Sequence, residues 1–263
     1  AQLIRTGKFK EARQQINIHG FTTIEPLVLD IGSYEEDVSV YGFICYLIFY
    51  EESFYLQQAA FALLLVSLSY LNGAYSAVYY HGSQMNLLTT NEDYYHRYEL
   101  GLYGIPGGGI NDKEARETAQ IALTRDPQNE WCKKIIRETS YLEKQTYPSV
   151  QEEQQFIITQ NPQEAFKLFV LTGRFLVAKT LLHLFSPEEV EGLLLSIAQE
   201  EQSIAPYAFL WMLLKDEETA HRHLFLAEIA WETFKSRPDQ KYPVKGAESL
   251  RLFHTSRAAE LSK

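Results

Sequence analysis

The sequence predicts an all-α fold of stacked antiparallel helical hairpins with an internal duplication. Three observations predict it. Apolar residues recur at i, i+3, i+4 and i+7 through Phe9–Ile16, Val40–Phe49, Phe175–Leu184, Ile204–Leu214 and Leu224–Phe234, the spacing of amphipathic helices. Breakers fall between these runs, at Asn72-Gly73, Gly104 to Gly109, Asp126-Pro127, Tyr147-Pro148, Asn161-Pro162 and Arg237-Pro238. The third observation is that the chain matches itself after a shift of 166 residues.

Taken in order, the periodic runs and their boundaries give about 13 helices, most of about 10–18 residues, joined by short turns. Helix starts are expected at Thr23 before Ile24, at Asn111 or Asp112 before Lys113, and at Ser186-Pro187-Glu188-Glu189, where a polar cap precedes proline in the first turn. No six-residue window alternates apolar and polar residues, so no strand is expected.

The match places Leu3–Ser53 on Phe169–Thr219 without a gap. Thr6, Gly7, Phe9 and Ala12 recur as Thr172, Gly173, Phe175 and Ala178; Tyr41, Phe43, Leu47, Glu51 and Glu52 recur as Tyr207, Phe209, Leu213, Glu217 and Glu218. Identities number 14 of 51 positions, where average composition gives about three or four by chance. After a seven-residue insertion near Arg237-Pro238-Asp239 the match resumes: Gly73, Ala74, Ser76 and His81 pair with Gly246, Ala247, Ser249 and His254. The copies cover about 1–90 and 162–263, and only 91–161 lacks a counterpart. The organisation that follows is a helical domain at 1–138, a connecting helix or linker at 139–161, and a second copy at 162–263. A helix at Pro162 to Leu171 precedes the second copy, whereas only Ala1 to Arg5 stands in that place in the first, so the natural chain is expected to extend further upstream.

The signature Gly-x-Phe-x-x-Ala has a physical reason. Glycine ends one helix in a left-handed cap, the aromatic fills the elbow, and the small residue lets the next helix approach closely. It resembles the turn between the two helices of a tetratricopeptide (TPR) unit. A second resemblance lies at Ala115, Ala119, Ala122 and Pro127, spaced like a TPR second helix and its exit, with Leu100-Gly101 upstream in the place of the first-helix pair. The chain departs from the pattern at Gly104 to Gly109, which lengthens the inter-helix turn, and no Trp opens the repeat. The resemblance implies a degenerate TPR-like solenoid, an interaction module with a concave surface.

Composition narrows the function classes. Among 263 residues, 24 basic and 34 acidic side chains give a net charge of −10, which argues against a nucleic-acid binder, whose affinity rests on Lys and Arg. The longest apolar stretch, Ala59 to Val66, is too short for a membrane span, which needs about 20 residues. Two cysteines, Cys45 and Cys132, read as buried reduced thiols and a cytoplasmic setting.

Four constellations are candidates for chemistry. The run Gly104 to Gly109 before a helix is a possible phosphate cradle, but no strand precedes it and Asp112 and Glu114 follow; a helix-to-helix turn is the alternative. Glu217, Glu218, His221 and His223 offer carboxylate and imidazole at helical spacing, the pattern of helical-bundle metal sites, but the first copy has no histidine there. A solvated helix start is the alternative. His81 and His254 hold equivalent places, as a dyad across the duplication or as packing histidines capping helix turns. Tyrosine is the outlier, 17 in all; Tyr75, Tyr79, Tyr94, Tyr95, Tyr98 and Tyr103 are the expected partner surface, since tyrosine couples a large apolar face to a polar tip. Helix-groove packing is the alternative for them. The acidic runs Glu35-Glu36-Asp37 and Glu200-Glu201 read as solvated turns.

The function expected is non-enzymatic: a scaffold holding a protein or peptide on a Tyr-rich concave face, with no cofactor, no metal, no nucleic acid and no membrane. The acidic chain favours a neutral or basic partner whose association slows as salt rises. The alternatives are a regulatory switch or toxin-neutralising immunity protein, and a metal-dependent enzyme using the Glu/His cluster.

Overall fold

Two sequence stretches are apolar on every side, Val40 to Ile48 and Ala205 to Leu214. A helix of that kind is stable only when surrounded. The computed structural model describes residues 1–89, 100–105, 108–144, 149–235 and 245–263, except the side chains of 21–25, 27, 143 and 144. In it the two stretches are helices α4 (Ser39–Tyr50) and α13 (Ala205–Leu214), packed against each other in the middle of the core. The expected amphipathic character of Val40–Phe49 and Ile204–Leu214 is corrected here: both helices are buried nearly all round, because neighbours cover every face.

Around them, in chain order, stand α1 (Gln2–Arg5), α2 (Phe9–His19), α3 (Phe21–Glu35), α5 (Phe54–Ala62, continued by a π turn through Ser67) and α6 (Ala74–Leu88). Then follow α7 (Asp112–Arg125), α8 (Glu130–Glu138), α9 (Val150–Gln160), α10 (Pro162–Leu171), α11 (Phe175–Thr180), α12 (Pro187–Glu200), α14 (Ala220–Phe234) and α15 (Ala247–Leu261). That is 15 α-helices among the described residues, the longest of 15 residues and the shortest of four. No strand occurs among those residues; a single bridge joins Asp37 to Lys245. No helix among them is long and apolar enough to cross a membrane.

Asn111, Asn161 and Ser186 cap α7, α10 and α12 through their side chains, and Ser186 forms a full capping box with Glu189. The expected start at Thr23 is displaced. Gly20 turns the chain with a positive φ directly after α2, so α3 already begins at Phe21 and Thr23 lies inside it. The Tyr147-Pro148 and Arg237-Pro238 breakers lie outside the described residues.

Packing between the flanking helices is reciprocal. Besides each other, α4 touches α15 and α13 touches α6. Gly7, at φ +69, sits so close to α15 that an added Cβ would lie 2.5 Å from the Ser249 carbonyl oxygen; Gly173, at φ +76, would place one 2.0 Å from that of Ser76 on α6. Ser249 Oγ donates to the Arg5 carbonyl, and Ser76 Oγ donates to that of Leu171. Phe9 stacks on Phe253 at 4.3 Å between ring centroids, and Tyr80 faces Phe175 at 4.9 Å. Each of these pairs maps onto the other under the 166- and 173-residue shifts. One continuous core contains buried residues from Ile4 to Leu102 and from Ala165 to Phe253.

The α7–α8 hairpin has a small core of its own, in which Ala115, Ala119 and Ala122 pack with Leu100, Cys132 and Ile135, and Pro127 lies in the connecting turn. Arg174 joins this hairpin to the rest. It binds both carboxylate oxygens of Glu114, with Nε at 3.1 Å from Oε1, and donates to the Gly109 carbonyl at 3.0 Å.

Candidate functional site

The core contains two buried polar chains. In the first, Tyr41 Oη lies 3.0 Å from His81 Nε2, His81 Nδ1 lies 2.6 Å from Gln57 Oε1, and Gln57 Nε2 donates to Glu52 Oε1 at 3.0 Å. Glu52 is closed by Lys215, which comes from the end of α13. In the second, Tyr207 Oη lies 3.1 Å from His254 Nε2, His254 Nδ1 lies 2.9 Å from His223 Nδ1, and His223 Nε2 lies 3.0 Å from Glu218 Oε1. Arg257 closes Glu218 with bonds of 2.8 and 2.9 Å. Under the shifts, Tyr41 corresponds to Tyr207, His81 to His254, Gln57 to His223 and Glu52 to Glu218. The two tyrosine rings meet at 6.3 Å between centroids, so the chains start side by side where α4 crosses α13.

Donors and acceptors fix the direction of each chain. An ionised carboxylate only accepts, so His223 carries its proton on Nε2, and its Nδ1 must accept from His254 Nδ1–H. His254 Nε2 then accepts from the Tyr207 hydroxyl. The Gln57 amide donates outward and its oxygen accepts inward, so the first chain runs in the same direction: Tyr41 O–H to His81, His81 Nδ1–H to Gln57. All four inner groups are hydrogen-bonded, as buried polar groups must be.

Burial opposes charge here. It brings His81 down to about 3, and it holds His254 well below the ordinary imidazole range, helped by the neighbouring His223. His223 is also lowered by burial, although Glu218 pulls the other way. Burial pushes Glu218 up, but hydrogen bonds from Arg257 and His223 outweigh it, and the carboxylate sits below its usual range. Burial pushes the Cys45 thiol, beside Tyr41, up to about 12, leaving an inert thiol rather than a nucleophile. A cavity of about 20 Å³ between Tyr41, Cys45, His81, Trp211 and Lys215 has room for one water and no more.

Three sequence readings are corrected by this geometry. His81 and His254 neither face each other as a dyad nor cap helix turns; each is the second member of its own chain. The helical spacing assumed for the metal candidates fails because Thr219 caps α14 and leaves Glu217 and Glu218 before the helix. His221 is exposed and meets Glu191, while His223 is buried against Glu218, so the two imidazoles do not converge. No group of three or more potential ligands gathers among the described residues. The acidic run at Glu35-Glu36-Asp37 is not simply solvated: Asp37 is buried and accepts from Ser39 N at 2.9 Å.

Of the expected partner tyrosines, Tyr75, Tyr79 and Tyr103 are half-buried and Tyr94, Tyr95 and Tyr98 lie outside the described residues. Tyr103 is committed to Asp112, to which its hydroxyl donates at 3.2 Å. Tyr79 lines a groove of about 290 Å³ between α6 and α11, with Tyr80, Leu87, Phe175, Leu176 and Val177 as apolar walls and Ser83, Asn86, Gln154 and Arg174 as polar ones. The corresponding place between α2 and α15 holds a cavity of about 480 Å³ lined by Phe9, Tyr46, Tyr50 and Phe253 together with Lys8, Lys10 and Arg13.

No family model matches the chain, and no curated protein or solved structure matches it either.

Proposed function

We propose that the chain is a non-enzymatic module that binds a protein or peptide, built as a TPR-like stack from a duplicated helical unit. The observation that carries this reading is the groove between α6 and α11. It is a concave, mostly apolar surface with a few polar groups at its side, the composition that recognises an apolar anchor and orients what is attached to it. Leu87, 67 % exposed, and Leu176, 48 % exposed, project there without a full cover of neighbours. The corresponding cavity between α2 and α15 supports the duplication, since the same hairpin elbow and the same final helix form both. The buried tyrosines and histidines support a binding role in another way: their hydrogen bonds are made to one another, and they stabilise the crossing of α4 and α13.

A displayed peptide library panned on the native chain tests this. Selected peptides should carry a bulky apolar anchor, and the double variant Leu87→Ser, Leu176→Ser should bind them at least tenfold more weakly with its fold intact. Selected peptides that bind the double variant as well as the native chain would show that the groove is not the docking surface.

A further inference from the structure

The two polar chains differ at one inner position, Gln57 against His223, and this difference gives the second chain a property the first lacks. Gln57 cannot take up a proton. His223 Nδ1 can, because in the neutral chain it is the acceptor at the end of a one-way sequence of donors. A proton added there meets His254 Nδ1–H head-on at 2.9 Å, so both nitrogens cannot keep their hydrogens in this geometry. The arrangement is relieved only if His254 moves its own proton to Nε2. That nitrogen then donates to the Tyr207 oxygen instead of accepting from its hydroxyl, whose hydrogen must turn elsewhere.

We propose that the His223–His254 pair is an acid-operated latch: one proton taken up by the folded chain in acid reverses His254 and turns Tyr207 from its hydrogen-bond donor into its acceptor, while the Gln57 chain keeps its direction. Protonation leaves His223 Nε2–H on Glu218, so the added positive charge faces a carboxylate already shared with Arg257.

The groups around the pair set the balance. From the connection before α14, Glu218 favours the charged imidazole. From α15, Arg257 opposes it, and Glu260 and Tyr50 of α4 act on Arg257 in turn. From α13 comes Tyr207, from α4 Tyr41 at the head of the other chain, and Cys45 lies near both tyrosines. Trp211 stands 5.2 Å from the His254 ring and 6.4 Å from that of His223, apolar walls that make burial the main obstacle to charge.

The sign follows from linkage. Both imidazoles are held below their unfolded value, so the unfolded chain binds protons first, and stability present in full above about pH 6.5 declines as pH falls. His81 does the same in the first chain, where burial alone lowers it. His223 therefore adds one titrating group that the first chain does not have, held below the ordinary imidazole range by burial.

Nitrogen-15 spectra of the histidine rings, recorded on the intact chain from pH 7.5 to 4.5 with circular dichroism to verify folding, test the latch. At pH 7.5 His254 should carry its proton on Nδ1 and His223 on Nε2; at the acid end, with helix content retained, His254 should be found in the Nε2–H form. The unfolding equilibrium supplies the second reading. From pH 7.5 to 4.5 the unfolding constant should rise more for the native chain than for His223→Gln, by less than about tenfold per pH unit and levelling off once the folded chain has taken up its own proton. Gln57→His should add a comparable rise. A His254 that keeps its Nδ1 proton throughout the acid range would overturn the proposal, as would equal proton uptake by the native chain and His223→Gln.

Discussion

The two polar chains start from tyrosines in contact and end on equivalent carboxylates, yet they are completed by different residues. The first uses Gln57 and borrows Lys215 from the other segment; the second uses His223 and is closed by Arg257 from its own. What is kept between them is the order of donors and acceptors, not charge or residue type. An amide and an Nε2–H imidazole are interchangeable at the inner position because each accepts on one side and donates on the other. A buried chain of this kind tolerates any residue that preserves its direction and is costly to interrupt, since each orphaned group forfeits about 1–3 kcal/mol.

The largest effect should come from the elbows that bring the segments together. Gly173→Ala forces a side chain into left-handed backbone and 2.0 Å from the Ser76 carbonyl oxygen, so denaturant unfolding should show a loss of about 4 kcal/mol. Gly7→Ala, with 2.5 Å to the Ser249 oxygen, should lose somewhat less. Gly20→Ala is the control: φ is similarly positive but no atom lies within 4 Å, so only about 1 kcal/mol should be lost.

Interrupting a chain comes next. Gln57→Leu strands His81 Nδ1–H and removes a donor from Glu52, and unfolding at pH 7.5 should report about 3 kcal/mol, whereas Gln57→His should be close to neutral there. Should Gln57→Leu be as stable as the native chain, hydrogen-bond order would not be what the two chains share. Smaller still, Tyr41→Phe and Tyr207→Phe each remove one donor from a buried imidazole nitrogen. Equal losses of about 1–2 kcal/mol are expected, and a large inequality would show that the crossing of α4 and α13 is not symmetric in energy.

Much of this fold was legible in the sequence. Period-3.6 apolar runs marked the helices, and Gly7, Phe9 and Ala12 with their partners 166 residues on marked the elbows. The elbows' second role was hidden: their glycines admit a helix from the other segment, and a one-dimensional pattern does not carry contacts between residues over 240 positions apart, such as Arg5 and Ser249. The i, i+3, i+4, i+7 recurrence of apolar residues in α4 predicts an amphipathic helix, yet Tyr41, Cys45 and Tyr46, which lie off that stripe, are buried as well. The candidate site was half visible. Tyr41, His81 and Glu52 recur as Tyr207, His254 and Glu218, but the members between them, Gln57 and His223, differ in type, so the recurrence of a role was masked by a change of residue. His223 was instead grouped with His221, its sequence neighbour but not its spatial one.

Residues on α4 and α13 belong to one shared core rather than to two cores that touch. Native-state hydrogen exchange at pH 7.5, read amide by amide along both helices, tests this most directly. The slowest amides of α4 and α13 should exchange with the same opening free energy, equal to that of global unfolding. Opening of one helix several kcal/mol below the other, with the second still protected, would contradict it.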